Sequence, residues 1–128
     1  MMRWIVVDMD GTLLNSQKII TDLTKETIID MQKSGYRFIL ASGRPTSGML
    51  QYAKQLDMDK YNGVVISYNG SLAMNVQNQE ILFHKPLSTI QSKRILHHLK
   101  QFDVDIMIDK DEYMFVHDVY ADNIQHES

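Results

Sequence analysis

Trp4-Ile5-Val6-Val7-Asp8-Met9-Asp10-Gly11-Thr12 is the stretch that decides the fold of this 128-residue chain. Its first four residues form a short unbroken apolar run in which three are β-branched, the pattern of a strand buried on both faces of a parallel sheet. The reading places it as a central strand. It stops abruptly at a carboxylate, and Gly11 lets the chain leave the strand sharply.

Working outward, Thr21 to Ser34 carries Leu23, Ile28 and Met31 roughly on one helical face, with Asp22 at the positive end and Gly35 as a stop. Tyr36 to Ala41 reads as a second strand, Pro45 opens a helix from about Thr46 to Leu56, and Gly63 to Ile66 reads as a third strand. Strand, helix, strand, helix, strand is the alternation of a parallel sheet with right-handed crossovers. The expected class is α/β, a Rossmann-like parallel sheet.

After Ile66 the period changes. Leu72 to Val76 and Glu80 to His84 flank Gln77-Asn78-Gln79 as a β-hairpin, and Lys85-Pro86-Leu87 is a connector. Ser88 and Gln91 suit a capping box at the head of a helix reaching about Phe102, followed by strands at Asp105 to Asp109 and Glu112 to Val116. The expected division is 1–85 for the main α/β unit and 86–128 for a second, incomplete one. One helix and two strands bury little apolar surface by themselves.

Composition narrows the class of function. Hydrophobic residues make up 44% of the chain and charged residues 23%, which excludes a disordered or collagen-like polypeptide. No cysteine is present, so disulfides, thiolate nucleophiles and sulfur-bound zinc are excluded, and a reducing cytoplasm is the expected setting. The Trp4 to Val7 run is too short for a signal-peptide core or a membrane span, so a soluble protein is expected. Twelve basic and 8 acidic residues precede Asp103, whereas 1 basic and 8 acidic residues stand from there on. This asymmetry reads as a solvated acidic face, or as a segment whose balancing charge lies elsewhere. No basic stripe with interleaved aromatics points to nucleic acid.

The chemistry concentrates behind the strands. Ligands of open α/β sheets bind outside the carboxyl ends of the strands, where Asp8 and Asp10 arrive together. Along an extended chain, two acids two residues apart lie on one side within ~7 Å. Thr12 adds a hydroxyl to the same loop. A bare Asp-x-Asp is as readily a solvated turn; its position directly behind the apolar strand gives it weight. Behind the second strand, Ser42 and Gly43 can donate from side chain and backbone to a phosphoryl oxygen, and the planar fork of Arg44 can hold a phosphate or carboxylate. Behind the third, Asn69-Gly70 is most simply a turn.

With these motifs quoted, the chain resembles the haloacid dehalogenase superfamily, and its Cof-like, cap-bearing phosphatase branch, as the N-terminal part only. The resemblance implies Asp8 as the nucleophile that forms an aspartyl phosphate and Asp10 as general acid and base. It implies Ser42 as the hydroxyl of the second motif, Asn69-Gly70 as lining the site, and residues from 86 onward as the start of an α/β cap. It also implies Mg²⁺, held by the Asp8 carboxylate and the Asp10 backbone carbonyl. A carboxylate meeting a phosphate dianion is repelled by ~8 kcal/mol in all at 4 Å and an effective dielectric of ~20, so a cation is required. The implied reaction is hydrolysis of small phosphorylated metabolites such as sugar phosphates. In this superfamily a lysine and further acidic metal ligands follow the cap. The sequence ends at Ser128 inside the presumed cap, so no residue here takes either role.

Other features yield less. His84, His97, His98, His117 and His126 lack the spacing of a metal site or triad, and Asp109-Lys110-Asp111-Glu112 has Met114 where a calcium loop needs glycine. The nine methionines read as core filler. A phospho-accepting receiver domain would want an aspartate at the end of the third strand, where Ser67-Tyr68-Asn69 stands. The rival from another class is a truncated, non-catalytic module that binds phosphate or a cation, or that self-associates into a homo-oligomer through the unpaired edges of its incomplete cap.

Overall fold

The computed structural model describes residues 1–110 and 113–116. Chain contacts divide it into two units, Met1–Lys85 and Pro86–Ser128.

The first unit alternates β1 (Arg3–Asp8), α1 (Asp22–Lys33), β2 (Tyr36–Ala41), α2 (Ser47–Gln55) and β3 (Val64–Ser67), then adds β4 (Leu72–Asn75) and β5 (Ile81–His84). The five strands form one sheet in the order β1-β2-β3-β4-β5. The first three run parallel, as the helical crossovers require, and the hairpin continues the sheet antiparallel to β3. The class is α/β.

Register explains the core. Ile5 pairs with Phe38, Val7 with Leu40, Leu40 with Val65 and Val65 with Met74, so these side chains share one face of the pleated sheet. Against them pack Ile28 and Met31 of α1 and Met49, Tyr52, Ala53 and Leu56 of the α2 region. The loop after β1 contributes Met9, Leu13 and Leu14, all buried in the same cluster.

Among the described residues β1 pairs with β2, and Trp4 is 50% and Val6 59% exposed. One expectation, for α1, is corrected here. Leu23 is 77% exposed, while the polar Gln32 is 3% exposed. Gln32 can be buried because its Nε2 donates to the Leu56 carbonyl oxygen at 2.7 Å, which satisfies one end of the amide.

The ends of α1 follow local chemistry. The Thr21 hydroxyl accepts from the Thr24 N–H at 3.3 Å, and Gly35 at φ +95° lets the chain turn into β2. At the far end of α2, Gly63 is required by packing. A Cβ there would lie 2.5 Å from the Cβ of Met58, which is itself fully buried.

The second unit holds α3 (Thr89–Leu99) and an antiparallel pair, β6 (Met107–Lys110) and β7 (Tyr113–Val116). The expected capping box is present. The Ser88 N–H donates to Gln91 Oε1 at 2.9 Å and the Gln91 N–H donates to Ser88 Oγ at 3.2 Å. No residue of α3 is buried. Asp111, Glu112, His117 and His126 lie outside the described residues. Among the described residues no helix is long and apolar enough to cross a membrane.

Replacing Gly63 with alanine should lower stability by about 1–3 kcal/mol, because a fully buried methionine must give way. Urea unfolding checks this, and an unchanged midpoint would contradict the packing argument.

Candidate active site

The parallel register builds the site. Asp8 pairs with Ala41, and Ala41 with Ile66, so the last residues of β1 and β2 and the penultimate residue of β3 lie in one row across the sheet. The chain past Asp8, Ala41 and Ser67 enters loops on the carboxyl edge, which gathers the Asp8–Thr12, Ser42–Arg44 and Tyr68–Gly70 segments. The sheet thus brings together all three stretches singled out in the sequence.

The first loop turns at once. Met9 is fully buried, and its carbonyl accepts from the Thr12 N–H at 3.3 Å and the Leu14 N–H at 2.9 Å. Gly11 takes φ +77°, a conformation that side chains disfavour. Asp10 therefore lies past the end of the strand, in an isolated bridge with Leu14, and the two acids are not spaced along one extended segment. The Thr12 hydroxyl donates to Asp8 Oδ2 at 3.4 Å, and among the described residues no cation pairs with Asp8.

Asp10 is held very differently. Arg44 grips it with both prongs of its fork, Nε to Oδ2 at 2.7 Å and Nη2 to Oδ1 at 2.8 Å, and Lys18 Nζ reaches Oδ1 at 2.5 Å. The Arg44 hydrogen bonds, chiefly, push the Asp10 carboxyl far below the usual carboxylate range, against a smaller opposing effect of burial; Lys18 adds to the lowering. The Arg44 guanidinium is correspondingly raised above its ordinary value, first by its hydrogen bonds to Asp10. The sequence left Arg44 free for a substrate anion, whereas here its fork meets an internal carboxylate.

The second and third loops brace each other. The Tyr68 N–H donates to the Arg44 carbonyl at 3.0 Å, the Asn69 N–H to the Ser42 carbonyl at 3.3 Å, and the Ser42 N–H to the Ile66 carbonyl at 2.9 Å. Ser42 Oγ accepts from the Arg44 N–H at 3.2 Å, which fixes the hydroxyl oxygen and leaves its proton to be donated. Tyr68, Asn69 and Gly70 take three successive positive φ angles, +51°, +54° and +94°. Non-glycine residues in this region carry strain that persists only where the surroundings over-determine it. Gly43 is part of that enclosure, since a Cβ there would stand 3.0 Å from Asn69 Oδ1.

Among the described residues no group of three or more His, Asp or Glu side chains is disposed to hold a metal. The donors present are nevertheless hard oxygens, and Mg²⁺ accepts one or two protein carboxylates while taking the rest of its shell from water and phosphate. The donor chemistry fits a partial Mg²⁺ shell. Two residues on this edge escaped the sequence reading, Lys18 and Tyr52. Lys18 stands eight residues past Asp10 in a polar turn, and a cation so close to two acids was the available signal. Tyr52 looks like any aromatic on the buried face of a helix.

The haloacid dehalogenase-like hydrolase family matches residues 5–128 of this chain. The chain belongs to that family. A Bacillus subtilis protein named "Putative phosphatase YxeH" is 33% identical over 82 residues, covering 64% of this chain and 30% of its own. A relative from Buchnera aphidicola, named "Putative phosphatase BU028/BU029", is 37% identical over 107 residues, covering 84% of this chain and 38% of its own. A third, from Bacillus subtilis, is named as a 5-amino-6-(5-phospho-D-ribitylamino)uracil phosphatase and is 30% identical over 69 residues, 54% of this chain and 26% of its own. The crystal structure of a haloacid dehalogenase-like hydrolase from Bacteroides thetaiotaomicron superposes with a TM-score of 0.90 at 31% identity, covering 99% of this chain and 48% of that one. This chain spans less than half the length of each of these proteins.

Replacing Arg44 with methionine should cost on the order of 1 kcal/mol at neutral pH. A carboxyl depressed by folding contributes stability above its unfolded pKa and loses it as the pH falls through its folded value. The gap between the two proteins should therefore be full above about pH 5 and narrow as the pH drops below 3.8, the ordinary value for Asp. Urea midpoints at pH 7 and pH 3 measure it; an equal gap at both would show that the fork contributes nothing through charge.

Proposed function

We propose that this chain carries the nucleophile half of a Mg²⁺-dependent phosphohydrolase acting on small phosphorylated metabolites, sugar phosphates among them. The observation that carries the reading is the contrast between the two aspartates: among the described residues no side-chain cation pairs with Asp8, while Asp10, beside it on the same edge, is gripped by two. A carboxylate not tied up by a basic side chain keeps an oxygen free to attack, and one held in a fixed orientation is suited to moving protons.

In the proposed reaction an Asp8 oxygen attacks phosphorus and the bond from phosphorus to the ester oxygen breaks. Its electron pair leaves with that oxygen, which takes a proton from Asp10, and an aspartyl phosphate remains on Asp8. Water then attacks phosphorus, passing a proton to Asp10; the bond from phosphorus to the Asp8 oxygen breaks, its electron pair returns to the carboxylate, and inorganic phosphate departs. Asp10 needs a proton for the first half, which its grip by Arg44 opposes. The incoming phosphate competes for the Arg44 fork, and Asp10 takes up its proton once that fork lets go. The Thr12 and Ser42 hydroxyls and the Gly43 N–H donate to the phosphoryl oxygens, while Asn69 and Gly70 face the organic part of the substrate. The Asp8 carboxylate and the Asp10 carbonyl would hold Mg²⁺, which supplies the positive charge that offsets the repulsion between carboxylate and phosphate. The relative named for a phosphoribityl compound supports a small phosphorylated substrate. The unit from residue 86 on is read as the start of an α/β cap.

The assay is magnesium-dependent release of phosphate from an aryl phosphate, using this chain and a version extended past Ser128. Asp8→Asn should abolish activity, and Asp10→Asn should lower kcat by about 10²- to 10⁴-fold. Inactivity of the extended protein, or a rate indifferent to Asp8→Asn, would overturn the hydrolase reading and leave the binding-module rival.

A second reading has its own support. In the unit from Pro86 on, Leu87, Ile90, Phe102, Val104, Tyr113 and Phe115 are exposed, side chains of the kind that a contact between copies would bury. Self-association through this unit is the expected consequence. Light scattering at high concentration should show dimers or larger species, and a clean monomer would refute it.

A further inference from the structure

The two cations on Asp10 share one support, and it lies in neither of their loops. Tyr52, on α2, is 8% exposed. Its hydroxyl donates to the Lys18 carbonyl oxygen at 3.2 Å. Its ring lies beneath the Arg44 guanidinium, whose carbon is 5.5 Å from the ring centroid. One rigid side chain thus touches both residues that grip Asp10, across 34 positions of sequence on one side and 8 on the other.

We infer that Tyr52 is a positioning residue, setting the aim of Lys18 and Arg44 and through them the orientation of the Asp10 carboxylate. The case rests on what each cation would do without it. Lys18 ends a long side chain with high rotamer entropy, and a solvent-exposed lysine pair is worth little when its backbone is free to wander. Here that backbone is pinned. Lys18 sits at φ +60°, in a turn where Asn15 Oδ1 accepts from the Gln17 N–H at 2.9 Å and the Ile19 N–H at 3.0 Å, and where the Lys18 N–H donates to the Asn15 carbonyl at 2.9 Å. Those bonds shape the turn within itself. The Tyr52 hydroxyl adds a hydrogen bond from this turn to α2, at Lys18 itself, beside the burial of Ile20 in the core. On the other side, a guanidinium stacked on a ring face has fewer orientations than one in water. Among the described residues Arg44 Nη1 meets the Gly48 carbonyl at a long 3.5 Å, so the ring supports the guanidinium alongside Asp10 itself.

The consequence for catalysis rests on the phosphohydrolase reading, but the geometry can be tested apart from it. Tyr52→Phe removes the hydroxyl and keeps the ring, whereas Tyr52→Leu removes both. With the 128-residue chain in solution, ¹H–¹⁵N spectra of the lysine ammonium groups should contain a Lys18 signal, assigned by its loss in Lys18→Met and sharpened by the Asp10 ion pair. Tyr52→Phe should broaden or abolish that signal, as should Asp10→Asn. In the aryl phosphatase assay, Tyr52→Phe should lower kcat several-fold with KM little changed, and should cost nothing further once Lys18 is methionine. Tyr52→Leu should cost more than Lys18→Met alone, since Arg44 then loses its platform. A Lys18 signal unmoved by Tyr52→Phe would overturn the inference, as would losses from Tyr52→Phe and Lys18→Met that simply multiply. Should the protein lack phosphatase activity altogether, the function reading fails while the ammonium spectrum still decides this one.

Discussion

Parallel pairing in register is the constraint from which the site follows. Because Asp8, Ala41 and Ile66 stand in one row, the residues that follow them emerge on the same edge with no adjustment of their own. Slipping one strand by a residue would send its alternating side chains to the opposite face, and Phe38 and Leu40 would leave the core. Burial of that one face therefore holds the chemistry in place.

On this edge, charge is distributed unevenly between two carboxylates of like kind. Asp10 draws in Arg44 and Lys18, which lowers its affinity for protons and orients it, while among the described residues the Asp8 carboxylate meets the Thr12 hydroxyl and no side-chain cation. Two adjacent acids with different environments are a recurrent basis for dividing labour between nucleophile and proton carrier. The neighbouring loops are stiffened by backbone bonds to one another and by the strained left-handed run at Tyr68 to Gly70. Rigidity of this kind fixes the direction in which the donors of these loops point.

The two units differ in how they are stabilised. Residues up to Lys85 own a contiguous core of sheet and helices. Residues from Pro86 on have a well-capped helix and a strand pair but bury no residue of that helix. Local signals such as the Ser88–Gln91 box were sufficient to form these elements, since capping acts within a single turn.

Much was legible in the sequence alone. The βαβ alternation, the hairpin, the helix caps and the family were carried by short-range patterns: apolar runs, a glycine past a helix end, and a motif whose residues are adjacent in the chain. What only the tertiary structure decided involved partners distant in sequence. Arg44 faces Asp10 from 34 residues away, Gln32 is buried because Leu56 offers a carbonyl, and Tyr52 joins two cations from a helix whose own pattern marks it merely as core. Each of these depends on a partner that folding brings close, which no local pattern of residues encodes.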